Sequence, residues 1–250
     1  MPCPNSSSVE IVEVIRRSQH GMTKPFLCRG SDSQFYFVKG KGAGRESQIK
    51  EWIAGNLALK FEIPVAPFKI VNVPEELLEA LSEDDSTDLG VGPAFGSLEQ
   101  RITELSYSNV SEVPLELRKS VLCFDWWIAN GDRNLTDQGG NPNLFWEPDS
   151  RKLVVIDHNQ SFDPYFHPEN FFKYHAFKSC SSGIADDFLE RENYTSRMRH
   201  ALNSWRAIVD DLPEEWFYID QEMTIPVKLS LESLLRHLQR FDSDDFWKWK

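Results

Sequence analysis

Two carboxylates and several amides fall within one short polar stretch. Ala129-Asn130-Gly131-Asp132-Arg133-Asn134 is followed by Asn141-Pro142-Asn143-Leu144-Phe145-Trp146 and then by Val154-Val155-Ile156-Asp157-His158. The stretch lies between an apolar helical pattern and two short apolar strand patterns. That is the layout of a phosphoryl-transfer centre, in which Asp132 accepts the substrate proton and Asn143 and Asp157 hold Mg²⁺. Asp132 alone has a plainer reading, as a turn aspartate bonding its own backbone. The joint pattern favours the chemistry, because an acid at the end of an apolar strand projects from a rigid support. Mg²⁺ also needs only a few hard oxygen ligands from protein.

A phosphate-binding cation is expected nearer the N-terminus. Lys39 ends the apolar run Gln34-Phe35-Tyr36-Phe37-Val38, and Glu51 follows on a helical pattern. A lysine at a strand end is usually only solvated. Paired with a helix-borne glutamate it gains a mechanism: the ammonium contacts the α- and β-phosphates and the carboxylate fixes its rotamer. Glu46 and Lys41 are the competing members of such a pair. Gly40-Lys41-Gly42-Ala43-Gly44 lacks the G-x-x-x-x-G-K-[ST] spacing of a phosphate-cradling loop and reads as a linker. His20-Gly21-Met22-Thr23 reads as a hairpin turn, with phosphate cover by backbone N–H groups the weaker alternative.

The elements that must position these groups follow from periodicity. Val9–Arg17, Lys24–Arg29 and Gln34–Lys39 read as three antiparallel strands. Ile49, Trp52, Ile53, Leu57 and Phe61 recur at helical spacing, and Phe68–Val73 returns to a strand pattern. Residues 75–88 are acidic and read as solvated helix and loop. Gly92 to Gly96 combines Gly and Pro, which break helix and strand, and reads as a hinge. Val113–Ala129 is helical, started by Pro114, and the remainder is helical segments and loops. The segments are therefore residues 1–8, expected to fray; 9–92, a β-rich nucleotide-binding part; and 93–250, an α-rich part carrying the catalytic loop and metal site.

Composition narrows the function. The chain has 250 residues, 40% of them hydrophobic, and a net charge of −12. That length can bury a large core. The acidic balance excludes a nucleic-acid binder and a protein docking on anionic membrane. Cys3, Cys28, Cys123 and Cys180 are far apart, as in a reduced protein. The start has no signal-peptide pattern and no run approaches a membrane span, so the expected location is cytoplasmic. His158, His167 and His175 lack metalloprotease spacing and read as packing or surface residues, and no G-x-S-x-G elbow is present. The aromatic tail Phe246-Trp247-Lys248-Trp249 reads as a cap on the helical part.

The order of these motifs resembles the HipA-like kinase family: a helix, an N-x-D-R loop, N-P-N-L-hydrophobic-W, and I-D-H. Tyr36-Phe37-Val38-Lys39-Gly40-Lys41-Gly42 and Glu51-Trp52-Ile53-Ala54-Gly55-Asn56 agree with its N-terminal half. The resemblance covers residues 9–170. It implies an α+β, bilobal protein-kinase-like fold, with an N-terminal antiparallel β-sheet lobe carrying one helix, a hinge, and a mainly α-helical C-terminal lobe. It also implies ATP and Mg²⁺ as cofactors and a protein substrate phosphorylated on Ser or Thr. Carried over by position, Asp132 is the catalytic base, Asn143 and Asp157 hold metal, and Lys39 binds phosphates with Glu51 as its partner. Gly92 and Phe95 stand at the nucleotide-binding strand and hinge. Thr136–Gly140 departs from the pattern as a small insertion, which leaves Asn141 the alternative to Asn143. His158-Asn159 after Asp157 differs from the usual kinase Phe-Gly. An inactive nucleotide- or partner-binding module and a small-molecule or lipid kinase are the alternative functions.

Overall fold

Alternation of buried and exposed side chains opens the fold: Val9 and Ile11 are buried, and Glu10 and Val12 are exposed. A computed structural model describes residues 8–18 and 23–249. The start expected to fray lies outside them apart from Ser8, as does the His20–Thr23 turn apart from Thr23. The described residues divide into two compact units, each entered more than once by the chain. The first comprises residues 1–49, 66–100 and 212–228, and the second residues 50–65, 101–211 and 229–250.

In the first unit, β1 (Val9–Arg17), β2 (Phe26–Gly30) and β3 (Phe35–Lys39) form the expected antiparallel run. Helix α1 (Arg45–Lys60) begins there and continues into the second unit. β4 (Phe68–Val73), the short helices α2 (Glu75–Leu78) and α3 (Glu83–Leu89), and β5 (Gly92–Leu98) follow. The strands close into a barrel in the order β1-β2-β3-β5-β4. This corrects the antiparallel sheet with a single helix. Closure uses one parallel pairing, Val9 with Val71 and Glu10 with Asn72, and two further helices are present. Val9, Ile11, Phe26, Cys28, Val38, Val71 and Ala94 fill the barrel.

Gly92–Gly96 is corrected from a structure-breaking stretch to part of β5. β3 pairs with β5 only from Lys39↔Phe95 onward, so Pro93 lies beyond that ladder and its missing N–H leaves no gap there. Gly96 is needed for close approach: a Cβ on it would stand 2.7 Å from Val71 Cγ1. Residues 212–228 return to this unit from far along the chain. The fully buried Trp216 donates its indole N–H to the Pro93 carbonyl at 2.9 Å, and Glu46 accepts from Lys228 N at 3.2 Å.

In α1, Ile49, Ile53 and Leu57 are completely buried, and few positions face solvent. The helix ends where Glu62 takes a left-handed φ of 61° and Ile63 N donates to Ala58 O at 2.8 Å, with Pro64 preventing continuation. The second unit then builds α4 (Leu115–Trp127), the small hairpin β6 (Asn134–Thr136) and β7 (Gly139–Asn141), and a second hairpin, β8 (Leu144–Glu147) and β9 (Lys152–Val155). Helices α5 (Pro168–Tyr174), α6 (Ser182–Ala185), α7 (Phe188–Leu202), α8 (Trp205–Asp210) and α9 (Leu231–Leu238) complete it. The insertion at Thr136–Gly140 is the β6–β7 hairpin tip, folded back on itself.

Aromatic packing dominates this unit. Phe61 lies 5.4 Å from Phe124 and 5.8 Å from Trp127, and Trp126 contacts Phe166, Phe171, Phe172, Phe246 and Trp249. The aromatic tail thus caps α4, with Trp126 Nε1 donating to Phe246 O at 3.0 Å. Cys28, Cys123 and Cys180 are buried free thiols, and burial pushes Cys28 up to about 12. Among the described residues, no helix is long and apolar enough to cross a membrane.

Candidate functional site

The loop bearing Asp132 grows directly out of the end of α4. Ala129 turns the chain with a left-handed φ of 49°. Such a conformation is unfavourable for a residue with a Cβ and must be held by its neighbours. Asn130 holds it twice: its N–H donates to Asp125 O at 2.8 Å, and its side-chain Nδ2 donates to Asp125 Oδ1 at 2.9 Å. Asn130 Oδ1 in turn accepts from Asp132 N at 3.3 Å.

Asn143 and Asp157 sit at the same end of one hairpin because β8 and β9 are paired. Leu144 faces Val155, and one step further Ile156 N donates to Asn143 O at 3.1 Å. The hairpin is supported on both flanks: Val155 N donates to Pro64 O at 2.9 Å, and Trp146 N donates to Thr103 O at 2.9 Å. Asn143 Nδ2 donates to Asp132 Oδ2 at 3.3 Å, which brings two of the three central residues into contact. Asn141 is exposed in β7 opposite Asn134. Asn143 is buried, whereas Asp132 and Asp157 are half-buried. Asp157 Oδ1 accepts from Asn159 N at 3.4 Å.

Glu51, 2% exposed, belongs to the second unit, where its Oε2 accepts from His158 N at 3.0 Å. The helix-borne carboxylate therefore fixes the backbone immediately after Asp157. Lys39 belongs to the first unit, in register with Phe95. It is buried, and its carbonyl accepts from Gln48 Nε2 at 2.6 Å. Gln48 is held by Arg45 at 2.9 Å, and Arg45 Nη1 also reaches Pro93 O at 3.4 Å. Phe95 is buried and stacks on Phe68 at 5.5 Å, and Gly92 starts β5 with a φ of 94°.

The side chains that hold the loop lie outside the expected site residues. Arg133 and Asp125 are both 0% exposed and pair at 2.6 Å. His175 Nδ1 accepts from Phe177 N at 3.0 Å, so the proton of the neutral ring sits on Nε2 and is donated to Asp125 Oδ2 at 3.2 Å. Burial raises the Asp125 carboxyl, but Arg133 and the His175 hydrogen bond outweigh it and leave Asp125 ionised below the ordinary carboxylate range. Burial holds His175 below its ordinary value, opposed by Asp125. The signal in the sequence was Asp125 itself, an acid inside the apolar run Val121–Ile128. A carboxylate buried there requires a cation and donors.

A model of the HipA-like kinase family matches residues 11–250. The chain belongs to the HipA-like kinase family. The family match extends the resemblance, carried by motifs up to residue 170, through the C-terminal helices. The crystal structure of a Helicobacter pylori proinflammatory kinase, CtkA, aligns over 96% of this chain and 96% of that one, at 10% identity and a TM-score of 0.45. No curated protein matches the chain.

Proposed function

We propose that this HipA-like kinase family member is an ATP- and Mg²⁺-dependent phosphotransferase of protein-kinase-like architecture that modifies Ser or Thr hydroxyls of a protein in the cytoplasm. The observation that carries the reading is the contact of Asn143 with Asp132 at 3.3 Å, beside Asp157 at the end of the same hairpin. Asp132 is the base: at the mouth of a rigid loop it orients the acceptor hydroxyl and takes its proton. The donor set suits Mg²⁺, which prefers a few oxygen ligands. Asn143 points its Nδ2 at Asp132, so its Oδ1 is the atom that serves a cation, and the Asp157 carboxylate is the second ligand. Mg²⁺ held there would supply neutralisation of charge on the phosphates.

In the first unit, Lys39 is assigned to the ATP phosphates, and Phe95 and Gly92 to the nucleotide. The paired register of Lys39 and Phe95 supports that joint assignment. Glu51 supports Asp157 through the His158 N–H. The test is incubation of the protein with γ-labelled ATP, Mg²⁺ and a cell lysate, followed by phosphoamino-acid analysis. Label on serine or threonine of a protein band is expected. Label in lipid or in small molecules alone contradicts the assignment.

A further inference from the structure

Arg133 reaches the backbone on both sides of the proposed metal site. Its Nε donates to Asp125 Oδ2 at 2.6 Å. Its Nη1 lies 3.3 Å from Pro142 O, 3.1 Å from Asn143 O and 3.0 Å from Ile156 O. Those three carbonyls belong to the backbone on both sides of Asn143 and to the peptide leading into Asp157. One guanidinium nitrogen therefore fastens together the two backbone segments that present the metal ligands.

Both ligands need fastening. Asn143 has a φ of 52° and Asp157 a φ of 57°. Left-handed backbone costs a residue with a side chain roughly 1–2 kcal/mol, and Asn and Asp are the types that bear it best. Without an external hold, each segment would relax toward negative φ and swing its side chain away. Glu51 at the His158 N–H and the Ile156 N–H bond to Asn143 O each hold one point, and Arg133 is the side chain that reaches both segments at once.

We propose that Arg133 is the positioning residue for Mg²⁺. Locked by Asp125 and His175, it holds the backbone of Asn143 and the peptide leading into Asp157, the two residues that would bind the cation. The inference deepens the phosphotransfer reading and rests on it. Lysine cannot replace arginine here, because a single ammonium cannot face Asp125 and three carbonyls in one plane. Residues that orient metal ligands from behind typically contribute about 10- to 100-fold to metal affinity. A purely structural Arg133 would affect melting but not the cation concentration that the folded protein needs.

The experiment titrates Mg²⁺ at fixed ATP and reads the thermal shift of the full chain, with ATP alone as the reference. In Arg133→Lys the half-saturating Mg²⁺ concentration is expected to rise about 10- to 100-fold, while the shift given by ATP alone stays at the wild-type value. His175→Gln keeps the ion pair but loosens Asp125. It is expected to move the Mg²⁺ requirement in the same direction, and it decides the matter if Arg133→Lys does not fold. Unchanged Mg²⁺ dependence in the folded variants overturns the positioning role and leaves the phosphotransfer reading standing. A wild-type protein whose ATP binding ignores Mg²⁺ overturns both.

Discussion

Replacing Arg240 by methionine should weaken the fold from the end of α4. The last carbonyls of a helix have no partner within it. Arg240 Nη2 supplies one, donating to Trp126 O and, at 3.1 Å, to Trp127 O. Its guanidinium also lies 5.7 Å from the Trp126 ring centre and 5.4 Å from that of Phe246. Two hydrogen bonds from a charged donor contribute about 3–6 kcal/mol in all, and the ring contacts add about 1 kcal/mol. Against this stands burial, which brings Arg240 from 12.5 down to about 10. That desolvation offsets about 3 kcal/mol. The balance is a net loss of about 1–4 kcal/mol in Arg240→Met, because both carbonyls lose a charged donor even though Trp126 O keeps its bond from Ala129 N at 3.3 Å. Urea unfolding at pH 7.5 measures it, and an unchanged m-value would show that the change lies in stability alone. Arg240→Lys should fall between the two. A methionine variant as stable as wild type, or more so, would show that desolvation outweighs capping and would refute this view of the C-terminal segment as a brace on α4.

Two further outcomes follow from buried groups. Burial, with Arg240 nearby, lowers His237 from 6.5 to about 4, and burial also lowers His175. Both histidines are neutral in the folded protein, and the unfolded chain takes up the proton first. Their contribution is therefore complete above pH 6.5 and is lost as pH falls toward 4. The His237 part alone amounts to about 2 kcal/mol at pH 5. Urea midpoints at pH 7.5 and pH 5 should show the loss, and His237→Gln should reduce it; a flat profile would contradict the burial of these rings. Gly40→Ala places a Cβ 2.2 Å from Leu89 O and 2.6 Å from Asp88 O, both backbone atoms that cannot rotate away. A loss of about 1–3 kcal/mol is expected, and a melting temperature equal to wild type would show that the loop has room to move.

The sequence revealed what depends on neighbours along the chain and hid what depends on distant ones. The apolar spacing of Ile49, Ile53 and Leu57 located α1 because a buried helix must repeat at that interval, and Ile63-Pro64 located its end. Strands β1 to β3 were legible for the same local reason. The parallel join of β1 to β4 was not, because Val9 and Val71 carry no mark of each other. Gly92–Gly96 hides its strand because Gly and Pro usually break one, whereas here Gly96 admits Val71 and Pro93 lies past the end of the β3–β5 ladder. At the site, motif order pointed to Asp132, Asn143 and Asp157. The means by which they are held, through Asp125, Arg133 and His175, appears only once residues 50 positions apart meet at 3.2 Å. The β6–β7 hairpin settles geometrically why Asn143 reaches Asp132 and Asn141 does not: the extra residues pair with one another and leave the path from Asp132 to Asn143 short.

The most direct measurement is transfer of the γ-phosphoryl group from labelled ATP in the presence of Mg²⁺, compared among wild type, Asp132→Ala and Asp157→Ala at matched fold. Wild type should label a protein hydroxyl. Each variant should lose at least about 100-fold in rate while keeping the wild-type unfolding midpoint within about 1 kcal/mol. Full transfer by a folded Asp157→Ala protein would contradict the assignment of this loop and hairpin as the phosphotransfer centre.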